Sequence, residues 1–450
     1  MIGAIPAVVR STRAAAAHAA ASPATLAVGR IYAVAAGVLS APLLARSLGP
    51  FDRGLYAAAA SVMILAPVLI GLGVPIAIRR VVAAGTRIGP ALRGARILAV
   101  LLVGPSALMG YFGSPSILGD IEQSTRFAFA AACGLSALTI SWTSDASVLF
   151  VRRKFLQLAL LHASAPTVIV ILLLGGIATG IMTLNYAIAA TGAAPAVAAL
   201  LGFWLVRTGP GWPSADTSKR LLVEGIKYAP GQIAEAATYR IGLVMGVALI
   251  GATETGFYSI AVTAGAIVMA IGQAVASNTF AQVSGLTGAE MAATSTRILR
   301  ISAILGAMVG AAGAVLSPIV VPFVFGRAFE PAVMGVVITM AAAPSMMVVS
   351  VATSLFIAQG HPGYVASVQF GAIAANLTAF FAFVHLLGPS VAAAASAAAT
   401  ASWIGLLIVV CLGRYKNIYK IRVADFSRAL RLVLVREGGP AAKAVSKDAI

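Results

Sequence analysis

Residues 48–61 read LGPFDRGLYAAAAS, and residues 250–263 read IGATETGFYSIAVT. At a constant offset of 202, Gly49 matches Gly251, Gly54 matches Gly256, Tyr56 matches Tyr258 and Ala59 matches Ala261. An apolar run precedes each copy and another follows it. Four identities could arise from a common interfacial turn, so the number of runs between the copies decides whether the chain is duplicated.

A helix that crosses a bilayer needs about 20 apolar residues, because each rises about 1.5 Å through a core of about 30 Å. Cutting the sequence at charges and Pro/Gly clusters gives runs at 24–45, 54–78, 93–113, 126–150, 158–178 and 183–206. A further set lies at 224–250, 256–281, 297–321, 331–358, 362–386 and 390–412. The first motif joins spans 1 and 2 and the second joins spans 7 and 8. Six spans separate the copies, an even number, so both halves enter the membrane in the same direction. The expectation is an all-α polytopic membrane protein of about twelve transmembrane helices. Its two six-helix bundles are related by a pseudo-twofold axis along the membrane normal. If the bundles rock about that axis, the two motifs meet when the space between the bundles opens on the opposite side.

Composition agrees with this reading. Hydrophobic residues make up 60% of the 450 and charged residues 10%, too few charges to cover a water-facing surface of that size. The net charge of +18 is spread between apolar runs rather than gathered on one basic domain, which excludes a nucleic-acid partner. Of the 31 lysines and arginines, 25 fall in segments that share one side if the N-terminus is cytoplasmic. Arg46, Arg53, Arg126 and Arg327 fall on the other side. The positive-inside rule then places both termini in the cytoplasm.

The domain organisation that follows is an N-terminal arm (1–23), a first bundle (24–206), a cytoplasmic linker (207–223), a second bundle (224–412) and a basic tail (413–450). The arm carries Arg10 and Arg13 before an alanine-rich run too weakly hydrophobic for a signal peptide. In the tail, Val423, Phe426, Leu430 and Val433 recur at helical spacing among Arg422, Arg428, Arg431 and Arg436. That pattern suits an amphipathic helix on anionic lipids of the inner leaflet; a disordered basic tail is the alternative.

An ionisable group near mid-bilayer costs about 2.5–3.5 kcal/mol on insertion scales, so each one asks for a reason. Arg240 and Glu235 fall near the middle of span 7, five residues and about 140° apart, so they cannot pair on one helix face. Each looks into a cavity or toward another helix, and Glu235 is a coupling-ion site or a partner of Arg240 by way of a neighbour. Arg30 lies in span 1, where it lines the cavity or snorkels to the interface. Asp145 lies in span 4 with Ser141, Thr143 and Ser144, either as a coupling site or as a partner of Arg152 two turns on.

Other polar residues carry less. Cys133 and Cys411 sit in apolar runs and read as small hydrophobes, with no disulfide and no metal site. His18, His162, His361 and His385 lie in loops or near span ends and read as structural or solvated. Interior prolines, among them Pro42, Pro67, Pro166, Pro195, Pro230 and Pro344, are expected to kink or loosen their helices.

LARSLGPFDRGLYA (44–57), followed by LGVPIAIRR (72–80), resembles the opening of bacterial Wzx-type polysaccharide flippases. IGATETGFYSIA (250–261), FGRAFEPA (325–332) and the Ala-Gln-Gly-His-Pro stretch at 358–362 resemble the second half of the same family. That family belongs to the multidrug/oligosaccharidyl-lipid/polysaccharide exporter superfamily, with multidrug exporters and lipid II flippases. The resemblance implies a V-shaped pair of bundles that moves a lipid-linked oligosaccharide by alternating access across the bacterial inner membrane. The cargo would serve polysaccharide or lipopolysaccharide synthesis beside other biosynthesis proteins. It also implies that Arg240 and Arg30 hold the pyrophosphate of a polyprenyl carrier, whose oxygens suit the guanidinium fork. The stretch TYRIGLVMGVALIG (238–251) departs from the family pattern, having Arg240 and no Asp in span 7.

Two other classes compete. A cation-coupled multidrug exporter of the same superfamily would want buried carboxylates, and only Glu235 and Asp145 are offered against two arginines. A membrane-embedded polysaccharide polymerase or ligase would need a sizeable outer loop, whereas the longest is about a dozen residues, 114–125. The Gly-x4-Gly-Lys-Ser/Thr loop of nucleotide-driven pumps does not occur. No enzymatic activity and no cofactor is expected.

Overall fold

The computed structural model describes residues 23–413 apart from 84, 86–87, 209–210, 239, 284–285 and 287. The N-terminal arm to residue 22, His18 within it, and the basic tail from 414 lie outside the described residues. In the first lobe, α1 (Pro23–Ile70) holds spans 1 and 2 and is prolonged by α2 (Val74–Ala83). Span 3 is α3 (Ile88–Leu101) with α4 (Val103–Leu118), and span 4 is α5 (Gln123–Ser136) with α6 (Thr139–Val151). Spans 5 and 6 are α7 (Phe155–Ala178) and α8 (Leu184–Leu205). In the second lobe, α9 (Ala215–Thr238) and α10 (Ile241–Ile250) form span 7, α11 (Ala252–Val283) span 8 and α12 (Gly288–Phe325) span 9. Span 10 is α13 (Ala332–Ala341) with α14 (Ala343–Ala358), and α15 (Pro362–Leu387) and α16 (Val391–Gly413) complete the bundle.

Among the described residues nine helices are individually long and apolar enough to cross a membrane, and two bent pairs, at 48° and 52°, add one crossing each. The first of the nine, Ile31–Ile70, is 40 residues long. At 1.5 Å per residue it is about twice the thickness of a bilayer core, so it holds two crossings and the total is twelve. The chain is thus a multi-pass, all-helical membrane protein of two six-helix lobes.

The division within α1 falls at Gly49, with φ 74° and ψ 175°, and its repeat mate Gly251 has φ 84° and ψ 164°. That corner of backbone space is essentially closed to any residue with a Cβ. The expected loops at 46–53 and 251–255 are therefore absent: one glycine makes each turn, and helix resumes at once. The outer loop expected at 114–125 is likewise shorter, because α4 runs to Leu118 and α5 begins at Gln123. The repeat extends beyond the motif. Span 4 is interrupted at Ala137–Leu138 and span 10 at Ala342, at equivalent places in the two lobes. Pro344 starts the helix after the second interruption, while Pro42, Pro67, Pro166, Pro195 and Pro230 sit inside continuous helices.

Lipid tails are as apolar as leucine, so close packing rather than exclusion from water holds such lobes together, and small residues set how near the backbones come. The lobes meet at both ends of span 2. At the repeat-turn end, a Cβ built on Gly54 would lie 1.8 Å from the carbonyl oxygen of Ala252, and one on Gly256 would lie 2.0 Å from that of Pro50. Each motif glycine thus seats the other motif's backbone. Arg46 adds a polar tie there: its Nε donates to the carbonyl of Val324 at 2.9 Å and its Nη2 to that of Phe323. These are acceptors that the C-terminus of α12 leaves without helical partners. At the opposite end, a Cβ on Gly73 would lie 2.3 Å from the carbonyl oxygen of Gly225. The Arg80 guanidinium covers the Tyr228 ring there, 4.8 Å from its centre.

Candidate functional site

Between the lobes lies a cavity of about 760 Å³, walled by spans 1 and 2 of the first lobe and by spans 7, 8, 10, 11 and 12 of the second. Ile169 of span 5 and Thr191 of span 6 complete the first lobe's side. Three charged side chains line it: Arg53, Glu235 and Arg240. The turn chemistry positions the first. Because Gly49 turns the chain in one residue, Arg53 already lies in the helix of span 2, three residues before Tyr56 and on the same face. Its guanidinium carbon stands 5.4 Å from the Tyr56 ring centre, its Nε has no hydrogen-bond partner, and the residue is only 6% exposed.

Tyr56 is fixed by a proton count. Its hydroxyl lies 2.8 Å from Thr191 Oγ1, and Thr191 spends its own proton on the carbonyl of Ala187 at 3.0 Å. Tyr56 therefore donates to Thr191, which leaves the phenolic oxygen free to accept a proton from the cavity side. Arg53 and Arg240 line the same cavity. Tyr258, the repeat mate of Tyr56, lines the same cavity, and Gly242 makes room for its hydroxyl, since a Cβ there would come within 2.9 Å. Gly54 and Gly256, next to Arg53 and Tyr258, close that end of the cavity.

Arg240 sits at the 48° bend between α9 and α10, not inside a straight helix. The bend lets Arg240 and Glu235 line one cavity although an ideal helix would turn them apart. Glu235 is exposed to it, and no ion pair joins the two. Among the described residues the ion pairs are Arg96–Asp145, at 2.7 Å, and the exposed Lys227–Glu224.

Asp145 departs from both of its expected roles. It is 0% exposed, is absent from the cavity wall and pairs with Arg96 of α3, not with Arg152. Arg152 caps the end of α6 and points to the surface, whereas Arg96 crosses from the neighbouring span and also donates to the carbonyl of Val206 at 2.9 Å. Gly202 leaves space for the carboxylate, since a Cβ there would come 2.5 Å from its Oδ2. The hydroxyls of Thr143 and Ser144 are spent on their own helix's carbonyls. The backbone of Arg30 lies in α1 and its side chain is outside the described set. His162 meets Trp142 edge-on and His361 stacks on Tyr364, neither in the cavity; Cys133 and Cys411 are both free.

Arg53 is the site residue that sequence reading missed, by placing it in an outer loop. The available signal was its position next to a matched glycine and one turn before a matched tyrosine.

No protein-family profile matches the chain, and no curated protein matches it. Solved structures do. It is similar to a multidrug resistance MATE family transporter of the MOP superfamily in its inward-facing conformation, with TM-score 0.67 and 14% identity over 88% of this chain and 100% of that one. The outward-facing conformation of a multidrug resistance MATE family transporter of the MOP superfamily gives TM-score 0.56 at 14% identity, covering 88% of this chain and 96% of that one. The lipid II flippase MurJ, in an inward closed conformation, gives TM-score 0.67 and 13% identity over 91% of this chain and 90% of that one. The chain thus shares the fold of these two multi-pass membrane proteins.

Proposed function

We propose that this protein is an inner-membrane flippase that moves a lipid-linked oligosaccharide for polysaccharide or lipopolysaccharide synthesis by alternating access. The units that rock are the lobes 24–206 and 224–412, joined by the linker 207–223, with both termini cytoplasmic. The observation that carries the reading is the pair Arg53 and Arg240 at the sealed end of the inter-lobe cavity, neither with an acidic partner. Two cations that face one cavity without an acidic partner are stabilised by an anion held between them. A pyrophosphate, with oxygens for both forks, is such an anion. Arg30, in span 1, is the third candidate for that role, and Glu235 is the candidate coupling site.

The fold is shared with multidrug transporters, so export of an organic cation is the competing reading, and Glu235 is the feature that would serve it. Two arginines against one carboxylate weigh toward the anionic cargo.

The test is complementation of a strain that depends on this gene for surface glycan. Arg53→Ala and Arg240→Ala are expected to abolish surface glycan while carrier-linked glycan accumulates inside, with the proteins still inserted. Lysine at either position should restore only part of it, because the fork is lost. Full export by the double alanine variant, or efflux of organic cations with no effect on glycan, would overturn the reading.

A further inference from the structure

The two walls of the cavity are chemically unlike. Every carboxamide that lines it comes from the second lobe: Gln232 of span 7, Gln273 of span 8, and Gln369 and Asn376 of span 11. Gln369 and Asn376 are seven residues apart, so they share a helix face about two turns apart. The Gln369 carboxamide lies 2.9 Å from the Thr238 hydroxyl, which shares its proton with the carbonyl of Ala234 at 2.8 Å. Asn376 is 4% exposed, Gln232 is half-buried and Gln273 is exposed, and among the described residues none of the three side chains makes a hydrogen bond. These amides are open to the cavity and free to pair with what it holds.

The first lobe's wall is different. Away from Arg53 and Tyr56 it is built from Val34, Val38, Ala60, Ile64 and Val68. Its one hydroxyl in that stretch, Ser40, donates to the carbonyl of Gly37 on its own helix and offers no proton to the cavity.

We infer that the cavity sorts its cargo along the lobe divide, with sugar hydroxyls and N-acetyl groups on the carboxamide wall of the second lobe and the polyprenyl chain along the aliphatic wall of the first. The inference rests on the lipid-linked oligosaccharide reading and adds to it where the glycan is recognised. Carboxamides suit neutral and N-acetylated sugars because each offers two donors and an acceptor to hydroxyls and amides that also carry both. They add no charge, so this wall discriminates glycosylated from bare carrier without competing with the arginines for the pyrophosphate.

The experiment measures the dissociation constants of purified full-length protein for two probes, polyprenyl pyrophosphate and the same carrier bearing N-acetylglucosamine. Wild type is expected to bind the glycosylated probe roughly tenfold more tightly, the yield of a few net hydrogen bonds. The double variant Gln232→Leu/Asn376→Leu should bring the two constants together while its constant for the bare carrier stays unchanged. Asn376→Ser, a milder change, should remove part of the preference and serves if the double variant does not fold. Retention of the full preference in a folded variant overturns the inference and leaves the flippase reading standing. So does equal binding of both probes by wild type. Failure of wild type to bind either probe overturns the reading itself and the inference with it.

Discussion

Gly54 offers the most direct test of the closed end. A Cβ at this position would lie 1.8 Å from the carbonyl oxygen of Ala252, and ordinary contact begins at 3.4 Å, so a side chain requires the two helices to part by about 1.6 Å. The obstructing atoms are backbone, of Ala252 and Gly256, and cannot rotate away. Overpacking of this kind typically costs about 1–3 kcal/mol, and here the cost falls only on the conformation in which the motifs touch. Gly54→Val should therefore shift the population toward states open at the repeat-turn end by about 5- to 150-fold. The reporter is Ala266→Cys on the cavity wall, in a background without Cys133 and Cys411. Labelling by a membrane-impermeant maleimide applied from the periplasmic side should accelerate in the Gly54→Val protein. Gly256→Val should do the same, because it meets the Pro50 carbonyl at 2.0 Å. Unchanged labelling in both inserted variants would show that the motifs do not gate the cavity.

Three further outcomes are expected. Arg46→Ala removes the donor that ties α1 to the end of α12, and should raise the same labelling rate severalfold, less than Gly54→Val. Asp145→Ala leaves Arg96 buried without its carboxylate; it should cost about 3 kcal/mol in thermal or denaturant stability and leave transport of the surviving folded protein intact, whereas Arg96→Met/Asp145→Leu should recover most of that stability. Alkaline phosphatase inserted in the short turn 119–122 should be active and a fusion after Arg436 inactive; activity at the latter would refute the twelve-span orientation.

The repeat and the even count of spans were legible because lipid imposes a length on every crossing, and hydropathy reports length. What hydropathy does not report is how a turn is made. Gly49 and Gly251 were visible as matched glycines, yet their turns of one residue are a property of φ and ψ, so Arg53 was assigned to a loop that does not exist. Arg240 and Glu235 were legible as cavity residues because a charge in a span must face something polar. Asp145 obeys the same rule with the opposite outcome, since its partner Arg96 lies 49 residues away on another span, where no local periodicity points. The carboxamide wall was invisible for the same reason: its four residues come from three spans and share only the place to which the fold brings them.

Span 2 touches the other lobe near Gly54 and again near Gly73, 19 residues later, roughly 28 Å along the helix. It thus works as a beam resting on two supports, and neither lobe can swing while both hold. If one support acts as fulcrum, each degree of rotation lifts the other by about 0.5 Å over that length. A few degrees would exceed the 1.6 Å that a methyl group demands at Gly54, while the support at the far end hardly moves. The beam is also jointed beside its second support, at Leu72 with φ 44° and Gly73 with φ 72°, so the motion there can be taken up by two residues rather than by bending the helix. The mechanical advantage of the two-lobe frame is set by the distance between two glycines.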